Sequence, residues 1–437
     1  MNPMDIPQPA VDVDGPKAPP TPTVTTPFGR VMAAMIASYV GGIVALAVPV
    51  SVLLTLKLVE MVGQDGVPLA LGLITGCGAA TGFFVNPIAG RISDRTQLRF
   101  GRRRTWILAG GLAGACALSA IWVTTEVWQI VILWCLVEIF IGFQMSVTGA
   151  LMVDQVPAAK RGSISGALGL IVATGPLIGL AIITPLSGAA QWVVLAALTA
   201  IGALIAVSLL RESPLLQKPS PIGVRELLSS FWVSPRRHPA FAYAWMVKLF
   251  VGAVGAAGAY NGVFLLQRIG TTTEELASTV LGISVIFVGV GGTACLISGI
   301  VSDRLRVQKP FVMAGGFLGA GGLVVLAFAD ALPAVYLSTA ISAVGAGIFL
   351  SVDTALSSRM LPRAETIGKD LGVMSLAGTI PASAIPFIAP LLLAIGGFTL
   401  LYLLLAVLGV IGGLLVMRLP DLGKEGDPRW AQLTVTR

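Results

Sequence analysis

Residues 86–104 read NPIAGRISDRTQLRFGRRR, and they follow a long apolar run. One part of this stretch, Gly-x-x-Ser-Asp-Arg, returns as GIVSDR at residues 299–304, again at the end of a long apolar run. Two copies in corresponding places indicate a chain of two related halves. Both copies put charges at the edge of an apolar body, which is typical of membrane proteins that move solutes.

The composition is that of a protein embedded in a lipid bilayer. Of 437 residues, 55% are hydrophobic and 11% are charged, and the mean hydropathy is +0.90. Soluble domains carry about 25% charged residues. The net charge is +7, but no basic patch interleaved with aromatic residues forms a soluble module, which argues against a nucleic acid as partner. The positive residues therefore report on topology.

Twelve apolar stretches are each long enough to cross the bilayer, which needs about 20 residues. They predict an all-α integral membrane protein with two pseudo-symmetric six-helix halves, residues 27–210 and residues 240–418, joined by a hydrophilic cytoplasmic central loop at residues 211–239. We number the stretches as spans 1–12: residues 31–57, 68–89, 105–124, 128–152, 163–184, 192–210, 241–266, 277–299, 310–329, 332–353, 371–395 and 398–417.

Both ends of the chain are expected in the cytoplasm. All but three of the 28 Lys and Arg residues fall in the tails or in the loops on the same side as the tails. The positive-inside rule assigns that side to the cytoplasmic face of the cell (plasma or inner) membrane. Residues 1–26 are rich in proline and lack the basic start and short apolar core of a signal peptide, so they are interpreted as a disordered tail. Residues 419–437 are interpreted as a second polar tail.

The residue types that carry most enzyme and metal chemistry are scarce. His238, the only histidine, lies in a basic loop. The four cysteines all lie inside apolar runs, which argues against a disulfide framework or a metal site. We expect no cofactor, no bound metal and no enzyme activity.

Residues 86–104 resemble the signature loop of the major facilitator superfamily. The spacing Asp-Arg, three residues, then Arg-x-Gly-Arg-Arg-Arg is similar to that of the branch of glycoside-pentoside-hexuronide cation symporters and sucrose transporters. This resemblance implies the twelve-span fold of that superfamily and a secondary transporter that works by alternating access. It is supported in both halves by DQVP at residues 154–157 with KRG at 160–162, WVSPRRHP at 232–239, DTAL at 353–356, LP at 361–362 and GKDLG at 368–372.

The resemblance also implies that the signature loop is a cytoplasmic gate. Asp94 is expected near the start of span 11, where free N–H groups favour an anion, and Arg102 or Arg103 is expected to pair with Asp154. The second copy of the motif lacks the arginine triplet, so the gate is expected to be asymmetric. The alternative is that the arginines only anchor the topology. The candidate gate residues are Asp94, Arg95, Arg102, Arg103, Asp154, Asp303 and Arg304.

Glu138 lies about 15 Å into span 4, counted from Trp128 at about 1.5 Å per residue, and thus near the middle of the bilayer. A charge at that depth costs roughly 2.5–3.5 kcal/mol, so the side chain is expected to face a cavity or a partner. Sucrose transporters carry an aspartate in the corresponding part of span 4, and this resemblance implies that Glu138 takes up and releases the coupling proton. The alternative is a structural glutamate that stays protonated or hydrogen-bonded.

Two departures from related transporters concern the coupling ion and the solute. Melibiose-type sodium sites use acidic residues in span 2, and span 2 has none here, so protons are favoured over sodium. Sucrose transporters carry an arginine where this chain has Gly149, which argues against a sucrose-like binding mode. Isolated polar residues within spans often only tie helices together. The candidate solute contacts are Tyr39, Gln144, Tyr260 and Asn261.

Lys248 lies inside span 7, where the related pattern Trp-x-x-Arg-Phe carries an arginine. Its partner is either Glu138, in the other half, or Asp353, near the cytoplasmic end of span 10. The second is favoured because it belongs to the same half. An unpaired lysine that reaches toward the membrane surface is the alternative.

These features predict a monomeric secondary transporter for the proton-coupled uptake of a sugar, glycoside or related small solute. The sparse polar lining and the missing arginine keep a second hypothesis open, which is the proton-driven efflux of a hydrophobic metabolite or drug. A membrane sensor would need a soluble signalling domain, and the sequence offers none.

Overall fold

The computed structural model describes residues 26–157, 160–212, 238–359 and 367–419, and all regular structure in these ranges is helical. The all-α fold class is therefore confirmed. Nearly all of the two predicted tails and of the predicted central loop lies outside the described residues.

The described helices follow the twelve predicted spans. Spans 1–6 correspond to Phe28–Val48, Pro49–Leu53, Leu54–Asp94, Arg102–Ala120, Val127–Gln155, Arg161–Ile183 and Ala189–Leu209. Spans 7–12 correspond to Pro239–Gly255, Ala256–Tyr260, Asn261–Phe264, Leu265–Ile269, Thr273–Leu305, Lys309–Ala327, Leu332–Arg359, Ile367–Leu415 and Val416–Arg418.

Within the described ranges, ten helical runs are long and apolar enough to cross a membrane, and two of them are long enough to cross twice. The first long run breaks at Gly63 (φ 69°) and the second at Gly397 (φ 62°). Both backbones are in the left-handed region, which only glycine adopts without strain, so each break reverses the chain between two spans. The described ranges therefore contain twelve membrane-crossing segments.

Span 7 is not the continuous α-helix that its sequence predicts. Its α-helical part ends at Gly255, a 3₁₀ segment follows over Ala256–Tyr260, and the helix resumes at Asn261. A 3₁₀ interruption inside a helix marks a hinge or a functional site. The interruption lies within the membrane-crossing run Pro239–Ile269.

The two Gly-x-x-Ser-Asp-Arg copies share a structural role that supports the duplication. Both serines are buried, and each hydroxyl donates a hydrogen bond to a backbone carbonyl beyond the end of its helix. Ser93 Oγ lies 3.3 Å from the carbonyl oxygen of Arg102, and Ser302 Oγ lies 2.9 Å from that of Val307. The serine therefore fixes the turn into the next span in both halves.

The buried apolar core shows which ends of the two halves are in contact. We call the end of the bundle with Thr26 and Leu419 the termini end, and the opposite end the far end. At the far end a single buried cluster joins both halves, and it includes Leu71 of the first half and Tyr260 and Ala389 of the second. The two halves are closed against each other there.

At the termini end the apolar core is divided. Met35 and Leu151 belong to a cluster of the first half, and Val247 and Val352 belong to a cluster of the second. Among the described residues, each of these clusters draws its members from one half only. Within the described residues the buried apolar core is therefore continuous between the halves at the far end and divided at the termini end, an asymmetry of the kind that alternating access requires.

Candidate functional site

Glu138 lies near the middle of the helix Val127–Gln155 and faces two glycines of span 2. A methyl group added at Gly82 would lie 2.9 Å from Glu138 Oε2, and one added at Gly78 would lie 3.2 Å from its Cγ. The missing side chain at Gly82 therefore leaves room for the carboxyl group, whereas the space at Gly78 is taken mainly by the ring of Trp134. Among the described residues, none donates a hydrogen bond to this carboxyl group or forms an ion pair with it.

The structure pairs Lys248 with Asp353, which is one of the two alternatives from the sequence. The Lys248 Nζ lies 2.6 Å from Asp353 Oδ2, and the two side chains are 23% and 12% exposed. A methyl group at Gly378 of span 11 would lie 3.7 Å from Lys248 Cε, so the lysine stem lies beside span 11 as well. The pair makes this part of the second half neutral and leaves Glu138 without a counter-charge from Lys248.

Two of the four candidate solute contacts are engaged between helices. Gln144 is fully buried and donates hydrogen bonds from Nε2 to the carbonyl oxygen of Ser38 at 3.0 Å and to its hydroxyl at 3.2 Å. Tyr260 is also fully buried, and its hydroxyl donates to the carbonyl of Pro386 at 3.1 Å. These bonds tie span 4 to span 1 and span 7 to span 11, and a solute contact by either residue stays a prediction.

The other two candidates keep polar atoms available. Tyr39 and Asn261 are half-buried, and neither side chain has a hydrogen bond to another described residue. A methyl group at Gly149 would lie 3.3 Å from the Tyr39 hydroxyl oxygen, so this hydroxyl lies beside span 4. Asn261 stands at the end of the 3₁₀ interruption of span 7.

The predicted gate residues of the first half form one charged cluster at the termini end. Arg103 is 3% exposed, and its guanidinium lies 2.6 Å from Asp94 Oδ1 and 2.8 Å from Asp154 Oδ2. Arg102 lies 2.8 Å from the same Asp154 oxygen. Both arginines thus pair with Asp154. A buried arginine between two carboxylates satisfies charges that would otherwise repel each other.

The gate candidates of the second half have no partner among the described residues. Asp303 and Arg304 are exposed, and neither has a hydrogen bond or ion pair to another described residue. Arg95 is exposed at the end of its helix. The side chains at the start of span 11 lie outside the described residues, so the contact of Asp94 with that helix stays a prediction.

Glu212 is a member of the charged cluster that the sequence analysis missed. Its Oε2 accepts hydrogen bonds from the backbone N–H of Arg103 at 2.8 Å and of Arg104 at 3.2 Å, at the start of span 3. Burial raises the pKa of Glu212 above its usual range, against the opposing effect of these N–H groups and of the nearby arginine charges. The carboxylate caps span 3 from the end of span 6. Only the knowledge that these spans pack together could have predicted it.

Substitution of Glu212 by alanine is expected to lower the free energy of unfolding by about 1 kcal/mol, the usual effect of losing a helix cap. Glutamine at this position keeps an acceptor oxygen without the charge that burial disfavours, so Glu212→Gln is expected to stay close to the wild type. Thermal unfolding in detergent measures both. Equal losses in the two variants would contradict the capping role.

The fold and this arrangement define a class, the multi-pass secondary transporters. The chain belongs to the Major Facilitator Superfamily, whose family model matches residues 28–364 and 272–434. Membership makes it a transporter and not an enzyme. The comparison also confirms the superfamily resemblance of the signature loop, while the sucrose-transporter branch has only the support of a short match.

Solved structures similar to this one are transporters of the same fold. A bacterial homolog of the human lysosomal transporter Spinster, in an inward-facing and occupied conformation, has a TM-score of 0.68 and 15% identity over 90% of this chain and 96% of that chain. The nucleoside transporter NupG has a TM-score of 0.72 and 12% identity over 90% of this chain and 100% of that chain. At these identities the likeness concerns the fold alone.

One sequence relative carries a substrate in its name. The chain is 38% identical over 65 residues to the sucrose transport protein SUC4 of Arabidopsis thaliana. The match covers 15% of this chain and 13% of that protein.

Proposed function

We propose that the protein couples the entry of protons to the uptake of a sugar, glycoside or related small solute by alternating access. The observation that carries this proposal is the Glu138 carboxyl group, which lies in the middle of span 4 without a hydrogen bond or ion pair to any described residue. Loss of hydration favours the neutral form of a carboxylic acid. Such a group binds a proton when its side chain is enclosed and releases it when water returns.

The termini end is proposed to face the cytoplasm of the cell (plasma or inner) membrane, in agreement with the positive charge on that side of the chain. The described conformation is then the inward-open one, in which a proton and a solute leave toward the cytoplasm. In the outward-open conformation Glu138 is protonated from outside. The neutral side chain then passes through the closed intermediate without the cost of a buried charge.

The solute class rests on the signature loop and on the short match to a sucrose transport protein. Tyr39 of the first half and Asn261 of the second supply unpaired polar atoms for its hydroxyl groups. The protein is proposed to act as a monomer in the lipid bilayer with protons, not sodium, as coupling ion, because span 2 has no acidic residue.

A second candidate function, the proton-driven efflux of a hydrophobic metabolite or drug, is favoured by one observation. Gln144 and Tyr260 are already engaged between helices, which leaves few polar side chains for a solute with many hydroxyl groups. The same Glu138 chemistry would serve this function in the opposite direction.

Uptake by the purified wild-type protein in proteoliposomes tests the proposal. Labelled monosaccharides, disaccharides and glycosides are offered with an acidic exterior, and at least one is expected to accumulate above its outside concentration. A protonophore is expected to remove the accumulation, and a sodium gradient is expected not to replace the pH gradient. Sugar uptake that does not depend on the pH gradient, together with expulsion of a hydrophobic dye, would favour the second candidate function, proton-driven efflux.

A further inference from the structure

The three prolines of span 11 leave backbone carbonyls without their usual helical partners. In an α-helix the carbonyl of Pro386 would accept a hydrogen bond from the N–H of residue 390. Residue 390 is a proline and has no N–H. The hydroxyl of Tyr260 takes that place, since it donates to the Pro386 carbonyl at 3.1 Å. A bare carbonyl in this buried position would be costly.

Span 2 of the other half presses against this hydrogen bond at the far end. A methyl group at Gly72 would lie 2.5 Å from the Pro386 carbonyl oxygen, 2.6 Å from Pro390 Cγ and 2.8 Å from the Tyr260 hydroxyl oxygen. Nothing larger than the hydrogen atom of glycine fits there. One turn further along, a methyl group at Gly76 would lie 2.9 Å from the ring of Phe387, so the approach of the two helices is close over two turns.

We propose that Gly72 and Tyr260 together form a closure element that allows the far end to shut without water. Gly72 lets the first half reach the proline-rich part of span 11. The Tyr260 hydroxyl donates a hydrogen bond to the Pro386 carbonyl, which this close approach shields from water. Tyr260 is thus a positioning residue for alternating access, and this role needs neither a particular solute nor a particular coupling ion.

The two residues act on the closed far end and not on the open one. When the far end opens, Gly72 moves away from span 11, and water can reach the Pro386 carbonyl and replace the tyrosine hydroxyl. Removal of that hydroxyl therefore destabilises the closed far end selectively. A methyl group at Gly72 also destabilises the closed far end, because it would overlap atoms of span 11 and Tyr260 there. This overlap is relieved when the two halves move apart.

The distance between spin labels across the far end tests the proposal. Labels at Asp65 of the first half and Glu274 of the second, both exposed, are introduced after the four native cysteines are replaced by alanine. Tyr260→Phe is expected to raise the ratio of long to short distances about fivefold, the factor that one ordinary hydrogen bond contributes to an equilibrium. Gly72→Ala is expected to raise it further.

Gly321→Ala is the matched control, because a methyl group at this helical glycine of span 9 meets no atom within 4 Å. Its distance distribution is expected to equal that of the spin-labelled protein without a further substitution. If Gly72→Ala does not fold, Tyr260→Phe alone decides the question. If Tyr260→Phe has the same distribution of spin-label distances as the labelled protein without this substitution, the proposal is wrong. The measurement uses no solute and no pH gradient, so its outcome is separate from that of the transport assay.

Discussion

Replacement of Glu138 by glutamine is expected to abolish the accumulation of solute driven by a pH gradient. Glutamine has nearly the same shape and fits the space beside Gly78 and Gly82, but it cannot release a proton. A symporter that moves one proton with each solute molecule supports about tenfold accumulation for each pH unit, because one unit corresponds to about 1.36 kcal/mol. The variant is expected to bring the solute only to equal concentrations on both sides.

Exchange of labelled for unlabelled solute measures whether the variant still moves its halves. This exchange needs no net proton transfer, and it is expected to persist in Glu138→Gln because the neutral amide resembles the protonated carboxyl group. Glu60, an exposed glutamate of the first long helical run, provides the matched control. Glu60→Gln is expected to accumulate solute as the wild type does. Full gradient-driven accumulation by Glu138→Gln would show that another group carries the proton.

Removal of Lys248 is expected to destabilise the second half strongly. Lys248→Met removes the positive charge that lies 2.6 Å from Asp353 Oδ2, and breaking such a largely buried pair costs about 3 kcal/mol. The double variant Lys248→Met with Asp353→Asn has no charge left to compensate. It is expected to recover more than half of the lost stability, as measured by thermal unfolding in detergent.

Lys57→Met serves as the control for the loss of a lysine near the membrane. Lys57 donates a hydrogen bond to the carbonyl of Trp122 at 2.9 Å and lies 5.0 Å from the centre of its ring, and no described carboxylate forms an ion pair with it. Its loss is expected to cost about 1 kcal/mol. If the double variant is as unstable as Lys248→Met, the lysine stabilises the fold through its packing beside span 11 and not through its charge.

The sequence predicts the spans and some of the pairs because these depend on local composition and on few alternatives. The apolar stretches predict twelve crossings, and the described residues form twelve such segments once the two long runs are divided at Gly63 and Gly397. The pairing of Lys248 with Asp353 was favoured because both belong to one half, and the contact of Asp154 with the arginines followed the resemblance of the signature loop. Each of these inferences needs only the order of the spans.

The contacts that the sequence did not predict depend on which helix faces meet. Gln144 and Tyr260 are residue types that can bind a solute. In the structure, however, their hydrogen bonds to Ser38 and Pro386 connect neighbouring helices. Glu212 meets its partners only because the end of span 6 lies beside the start of span 3. The interruption of span 7 also escapes hydropathy, which reports the polarity of side chains and not the course of the backbone.

By itself the sequence determined that the chain is a membrane protein of two related halves, with the repeated Ser-Asp-Arg motif on one side of the membrane. These properties follow from the transfer of each residue between water and lipid, which is additive along the chain. The tertiary structure decided which carboxyl groups are paired, which glycines make room and which end of the molecule is closed. Those properties depend on contacts between residues far apart in sequence, such as Gly72 with Tyr260, and only the packed helices determine them.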